Sequence, residues 1–177
     1  MMSATRLITL DDSAALAELV RVNREFLAPW DVAHDEDYFT ADGQLARIAD
    51  ALARHAQGTM LPHVILTETG VVAGRINLND IVRGAFWSCH LGYWLNQADN
   101  GRGLATAAVR EIIDVAFGEL GLHRIQAGTL PNNVRSQRVL ERNGFTRIGL
   151  APDYLRIAGG WQDHVLFQLV NPDSDLS

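Results

Sequence analysis

The chain has 177 residues, 47% apolar and 20% charged, and carries a formal charge of -6 from 15 basic and 21 acidic side chains. That length supports one hydrophobic core; the composition is too apolar for disorder and too acidic for a sequence-independent grip on nucleic-acid backbone as the main function. The single cysteine, Cys89, rules out an intramolecular disulfide and a Cys-based zinc site, and the basic residues are all arginine, which excludes Walker and Schiff-base lysines.

The one cysteine suits a reducing compartment, by default the cytoplasm. Met1 to Leu10 lacks a long apolar run of the signal-peptide kind, and no apolar stretch is long enough to span a bilayer. Residues 1–177 read as one domain with a loose tail at 171–177.

In chain order, residues 5–10 alternate like a short strand. Asp11, Asp12 and Ser13 then offer caps to a helix carrying Leu16, Leu19, Val20 and Val22. Residues 26–38 break that period with Pro29 and a group of acids, Asp31, Asp35, Glu36 and Asp37, and read as a loop. Thr40 caps a second helix through Leu45, Ile48 and Leu52, which Gly58 follows. Strand signals at 64–67, 71–78 and 86–95 suggest an antiparallel meander. A polar loop at 96–100 leads into a helix at 103–120, and a strand at 123–130 completes a crossover. Asn132 or Asn133 caps a shorter helix ending at Gly144, and residues 145–157 and 161–170 form a last hairpin around Ala158, Gly159 and Gly160.

Asn100-Gly101-Arg102-Gly103-Leu104-Ala105 lies between an apolar strand and an amphipathic helix. A helix start offers free N–H groups and a partial positive charge, the two things a diphosphate needs. Gly101 and Gly103 allow a tight turn and close approach of phosphate, and Arg102 adds a charge-assisted contact. Short glycine pairs before helices also serve simply as turns. No Lys-Ser or Lys-Thr follows, so a P-loop is excluded, and the missing third glycine disfavours a dinucleotide fold.

Taken together, Leu91-Gly92-Tyr93-Trp94-Leu95, the glycine loop, Asn133-Val134-Arg135-Ser136 and Arg142-Asn143-Gly144-Phe145 resemble the GNAT superfamily of N-acetyltransferases. More narrowly, Val82-Arg83-Gly84, Asp153-Tyr154-Leu155 and Trp161-x-Asp163-His164 resemble the RimJ branch of the RimJ/RimL group, which acetylates N-termini of ribosomal proteins. The resemblance implies an α/β (α+β) GNAT fold. Its parts would be a central mixed, mostly antiparallel seven-stranded sheet, about four helices, and acetyl-CoA between two splayed central strands. It implies that the strand around Trp94, Leu95 and Asn96 pairs with the pantetheine arm, and that residues 101–106, Gly101 to Thr106, hold the pyrophosphate through backbone amides. Asn100 stands where the family usually has Gln or Arg, which puts a side-chain contact in doubt but not the amide cradle. By the same resemblance Asn133 bonds the cofactor and Ser136 lies near the thioester sulfur; on spacing alone, both residues read first as helix caps.

A serine hydroxyl is a weaker acid than a thiol of pKa about 8.5, so Ser136 reads as a hydrogen-bond donor to sulfur or a relay to water. An α-amine of pKa about 8 is already roughly a tenth neutral at pH 7, so an α-amine acceptor needs no strong base. His90 is either a base acting through water or a structural histidine. Trp30, Asp35 and Tyr154 are candidates for the acceptor groove, against solvated-loop and packing readings. Asp163-His164 has no nucleophile elbow, and the histidines lack metal-ligand spacing, so neither a hydrolase nor a metal is expected.

The expected activity is direct transfer of acetyl from acetyl-CoA to a primary amine, foremost a ribosomal-protein N-terminus, with a strand N–H near Leu95 meeting the oxyanion. The alternatives are a small-molecule amine acceptor (polyamine, amino acid or antibiotic) and a non-catalytic acyl-CoA-binding or ribosome-assembly protein. The expected partners are acetyl-CoA and the amine, with no nucleic acid or membrane, in a monomer or homodimer.

Overall fold

The computed structural model describes residues 3–174. Its strands are β1 (Thr5–Leu7), β2 (Leu61–Leu66), β3 (Val72–Val82), β4 (Ser88–Leu95), β5 (Arg124–Thr129), β6 (Thr146–Ile157) and β7 (Gly160–Val170). They form one seven-stranded sheet in the order β1-β2-β3-β4-β5-β7-β6. Every neighbouring pair is antiparallel except β4 and β5. That one parallel pair follows from the crossover, because a helix joins the two strands.

The helices are α1 (Ser13–Val22), α2 (Arg24–Leu27), α3 (Ala41–Ala56), α4 (Leu104–Asp114) and α5 (Val134–Arg142). On one sheet face, α4 and α5 close the larger core, in which Ile76, Leu78, Cys89, Leu91, Val109, Ile112 and Leu140 are buried together. On the other face, α1 and α3 close a smaller one around Ile8, Leu16, Ile48 and Val64. Strict alternation along β3 sends Ile76 and Leu78 to the first core and Arg75, Asn77 and Asn79 to the opposite face.

Several sequence-based expectations are corrected. The stretch 26–38, read as a loop, carries helical pieces at both ends: α2 runs into a 3-10 turn at Ala28–Trp30, and after the irregular residues 31–35 a second 3-10 turn spans Glu36–Phe39. Pro29 enters the first turn of its segment, where a missing N–H costs nothing, so it shortens helical structure without abolishing it. With this short piece, α2, the described residues form five α-helices where about four were expected. The helix expected over 103–120 is regular only to Asp114 and then widens into a π-type turn, Val115–Glu119, that contains Gly118, the weakest helix former of the run. Asp12 does not cap α1; its carboxylate accepts from Thr9 N–H at 2.8 Å and from both Arg6 terminal nitrogens at 2.7 and 2.8 Å. Thr40 does cap α3, accepting from Gly43 N–H at 3.0 Å. In the last hairpin it is β7 that pairs with β5, leaving β6 at the edge. Asn171, where the tail was expected to loosen, is bonded to His123 and Leu122, and Ser174 Oγ lies 2.6 Å from His123 Nδ1; residues 175–177 lie outside the described residues.

Gly74 pairs with Leu95 across β3 and β4, and a Cβ there would sit 2.2 Å from the Trp94 carbonyl oxygen. Only glycine allows that approach of backbones. Gly74→Ala is expected to lower stability by about 3 kcal/mol, the upper end of overpacking costs, read as a lower urea midpoint at unchanged slope. A second prediction concerns His63, whose Nδ1 is 3.1 Å from Thr5 Oγ1. Burial, against attraction from Glu111 and with repulsion from His55, pushes its pKa from 6.5 down to about 4. The unfolded chain therefore takes up a proton that the fold resists, so this contribution to stability is complete above pH 6.5 and is lost as pH falls towards about 4. His63→Gln should flatten the decline of Tm across that window.

Candidate active site

Strands β4 and β5 pair at three positions only, Ser88 with Arg124, Cys89 with Ile125 and His90 with Gln126. Beyond them residues 91–95 stay with β3 and residues 127–129 stay with β7, so the two central strands part. Their facing edges lie unpaired in the middle of the sheet, which is the geometry that accepts an extended, amide-bearing chain. Trp94 turns its ring to the smaller core and Leu95 is buried in the larger, so both meet the fork through backbone.

The C-terminal end of β4 leads to the glycine loop. Gly101 and Gly103 both have φ of 80°, and the space where their Cβ atoms would lie is empty to 4 Å. Gly103 precedes α4 and no side chain caps that helix, leaving the N–H groups of Leu104, Ala105 and Thr106 without a capping partner. An open, uncapped start to an eleven-residue helix fits a diphosphate. Arg102 is 68% exposed and only 3.6 Å from Asp99, free to swing to an anion. Asn100 instead folds back, its Nδ2 donating to the Asn96 and Gln97 carbonyls at 3.1 and 3.3 Å. Asn96 is a brace too, accepting from Asn23 Nδ2 at 2.9 Å and donating to Asp99 at 2.7 Å. Asn23, which is buried, completes the brace by accepting from Gln97 N–H at 2.8 Å.

Asn133 caps α5 through Oδ1, 3.2 Å from Ser136 N–H, and the bond leaves its Nδ2 uninvolved. Ser136 Oγ is 2.8 Å from the Tyr93 hydroxyl, and either group is able to donate. Burial pushes the Tyr93 phenol up to about 12, with the Ser136 bond pulling the other way. Tyr93 was missed as a site residue although it stands in the quoted strand motif. Its alternation with Leu91 and Leu95 gives its face, but nothing in the sequence brings it to Ser136. At the other end of α5, Asn143 Nδ2 donates to the Thr106 carbonyl at 3.2 Å, tying that helix to the first turn of α4.

His90 belongs to the opposite face, since it pairs laterally with Asn79 and Gln126. It lines a cavity of about 470 Å³ at the fork together with Arg54, Asp80, Gln126 and Tyr154. Tyr154 is therefore brought to His90, whereas Trp30 and Asp35 are not. A second cavity, of about 320 Å³, has walls that include their chain neighbours Asp31 and His34 together with Tyr38 and Ala158. The acids of this stretch are mostly matched within the chain: Asp31 with His34 at 3.0 Å, Asp37 with Arg47 at 3.0 Å, and Glu36 with Arg24. Cys89 is buried, which pushes its thiol up to about 12 and away from nucleophilic use.

A central fork fed by an uncapped helix start is built to seat a long, amide-bearing ligand that ends in a diphosphate. Comparison with known proteins agrees. A family profile described as "Acetyltransferase (GNAT) domain" matches residues 5–146. The Bacillus subtilis protein named "Probable N-acetyltransferase YjcK" is 39% identical over 154 residues, covering 86% of this chain and 85% of that one. The Escherichia coli [ribosomal protein uS5]-alanine N-acetyltransferase is 37% identical, over 95% of this chain and 87% of that protein. Among solved structures, the ribosomal-protein-S5-alanine acetyltransferase of Vibrio fischeri superposes with a TM-score of 0.92 at 32% identity, covering 98% of this chain and 96% of the other. Mycobacterium smegmatis RimJ in complex with CoA-disulfide gives 0.91 at 30% identity, covering 96% and 82%. The chain belongs to the GNAT acetyltransferase family, within its RimJ/RimL group. It is an acetyl-CoA-dependent N-acetyltransferase. No helix among the described residues is long and apolar enough to cross a membrane.

The Tyr93–Ser136 contact is open to a direct test. Losing one hydrogen bond at the site, worth about 1 kcal/mol, should cost roughly fivefold in kcat in either Tyr93→Phe or Ser136→Ala. The double variant should cost little more, because both hydroxyls serve one contact. CoA affinity, read by calorimetry, should stay within about threefold in all three.

Proposed function

We propose that this enzyme acetylates the N-terminal α-amine of a protein, and that the protein is a ribosomal one, modified in the cytoplasm. The observation that carries the reading is a fork approached from two faces. On one face stand Tyr93 and Ser136, and on the other His90, Tyr154 and the larger cavity. A donor threaded along the unpaired edges and an acceptor entering that cavity would meet at the parting of the strands, so that proximity supplies much of the rate.

In this reading the backbone of Trp94, Leu95 and Asn96 pairs with the donor's pantetheine arm. The loop from Asn100 to Thr106 holds its diphosphate, with Asn133 Nδ2 available to its polar atoms. Bound acetyl-CoA supplies an acetyl carbon attached to a thiol that can leave. Tyr93, held at about 12, and Ser136 are weaker acids than that thiol, whose ordinary pKa is about 8.5, so they serve the sulfur as hydrogen-bond donors. His90 receives the proton of the acceptor's ammonium, and an α-amine of pKa about 8 asks little of so weak a base.

The names of relatives sharing 37% and 32% identity over nearly the whole chain support the ribosomal acceptor. A net charge of -6 suits a basic protein partner. Thiol release from acetyl-CoA should be faster by about 100-fold in kcat/KM with Ala- or Ser-starting peptides than with free amino acids, polyamines or aminoglycosides, a gap of roughly 3 kcal/mol from peptide contacts. Equal or greater turnover of a small amine would replace the protein acceptor with a metabolite.

A further inference from the structure

Strict alternation along β3 would place Asp80 in the larger core, two residues after Leu78. It does not go there. Between the pairs Asn79 with His90 and Val82 with Ser88, β3 takes one more residue than β4, so the strand bulges. The bulge hands the core position to Ile81, which is 7% exposed, and turns Asp80 out to the face of His90. Asp80 adopts a left-handed backbone with φ of 50° to do so, a conformation an aspartate tolerates at some cost.

Asp80 then stands between two partners. Its Oδ2 lies 3.9 Å from His90 Nδ1, and its Oδ1 lies 3.5 Å from an Arg54 terminal nitrogen on α3. His90 Nδ1 is buried and has no hydrogen-bond partner, while the imidazole as a whole is 42% exposed to the cavity. A buried ring nitrogen without a partner, facing a carboxylate just beyond bonding distance, marks a contact that is incomplete until charge appears on the ring.

We propose that Asp80 is a positioning residue for acetyl transfer: the bulge in β3 aims its carboxylate at His90 Nδ1, directing Nε2 to the acceptor amine, and Arg54 holds the carboxylate in place. The inference rests on the reading of His90 as the group that takes the acceptor's proton. In that step an N–H bond of the ammonium breaks, its electron pair stays on the acceptor nitrogen, and the proton becomes bonded to His90 Nε2. Asp80 closes on the Nδ1–H and meets the positive charge of the imidazolium; water later removes the proton from Nε2. Two charged groups face His90, Asp80 from β3 and Arg54 from α3. From the other strands around the cavity, β5 brings uncharged Gln126, β6 brings Tyr154, and β7 brings apolar Leu166 and Phe167.

The test is the pH profile of kcat at saturating acetyl-CoA and peptide, with wild-type thiol release established first. His90→Gln should abolish the acidic limb and lower kcat by about 100-fold, a usual loss for a general base. Asp80→Asn should lower kcat by about tenfold with acceptor KM nearly unchanged, and should move the acidic limb to lower pH, since a carboxylate beside the ring favours its protonated form. Arg54→Gln should move the limb the other way, because it removes a positive charge from the same cluster. Asp80→Glu should restore part of kcat, which a purely structural bulge residue would not do. Limbs unmoved in both Asp80→Asn and Arg54→Gln overturn the proposal. An intact acidic limb in His90→Gln also overturns it, yet leaves transfer to the α-amine, read from the wild-type enzyme, standing. CoA affinity and circular dichroism of each variant separate these outcomes from misfolding.

Discussion

Everything in this enzyme depends on two parallel strands that stay together for three residue pairs and then separate. A sheet normally satisfies its central N–H and C=O groups within itself, and leaving two edges open in the middle is costly unless something else pairs with them. Here each strand is held from its outer side, β4 by β3 and β5 by β7, so the fork survives without collapse. The close backbone approach at Gly74 is part of this restraint, because it draws β4 towards β3 at the residue next to Trp94. The opening is thus braced by the scaffold on both sides.

A rigid opening is useful only if the loop that feeds it is equally well placed. The glycines that make the loop permissive cannot hold it, and that task falls to side chains distant in sequence. Asn23 at the end of α1 bonds both Asn96 and the Gln97 N–H, while Asn143 reaches from α5 to the Thr106 carbonyl. The uncapped start of α4 is therefore fixed from both sides of the sheet, and its amide groups remain open to a ligand. Polar bonds of this kind contribute about 1 kcal/mol each to stability, but their larger consequence is positional.

The two faces of the sheet divide the chemistry. Side chains facing α4 and α5, such as Tyr93 and Ser136, stand close to an apolar core, where burial keeps a phenol protonated far above neutrality. Side chains on the α1 and α3 face, such as His90, Asp80 and Arg54, are partly wet and carry the ionisable groups. A transfer between a neutral thioester and a charged amine suits this separation, with the proton handled on one side and the sulfur on the other.

Much of this was legible in the sequence. The glycine loop, the Asn133 and Thr40 caps, the meander and the crossover are local patterns, written in residues a few positions apart, and physical rules of short range read them well. The helical turns at 24–39 were missed because Pro29 and the acids mask short helical pieces that tertiary contacts support, including the Ala158 N–H to Asp31 carbonyl bond. The pairing of Glu36 and Asp37 was not legible either, since their arginine partners Arg24 and Arg47 lie ten or more residues away. The sequence by itself determined most of the elements, their order and a permissive glycine loop ahead of α4, because periodicity and backbone permissiveness are local properties. Only the tertiary structure decided that Tyr93 meets Ser136 and that a one-residue bulge turns Asp80 to His90, because strand register and helix docking are set by the packing of the whole core.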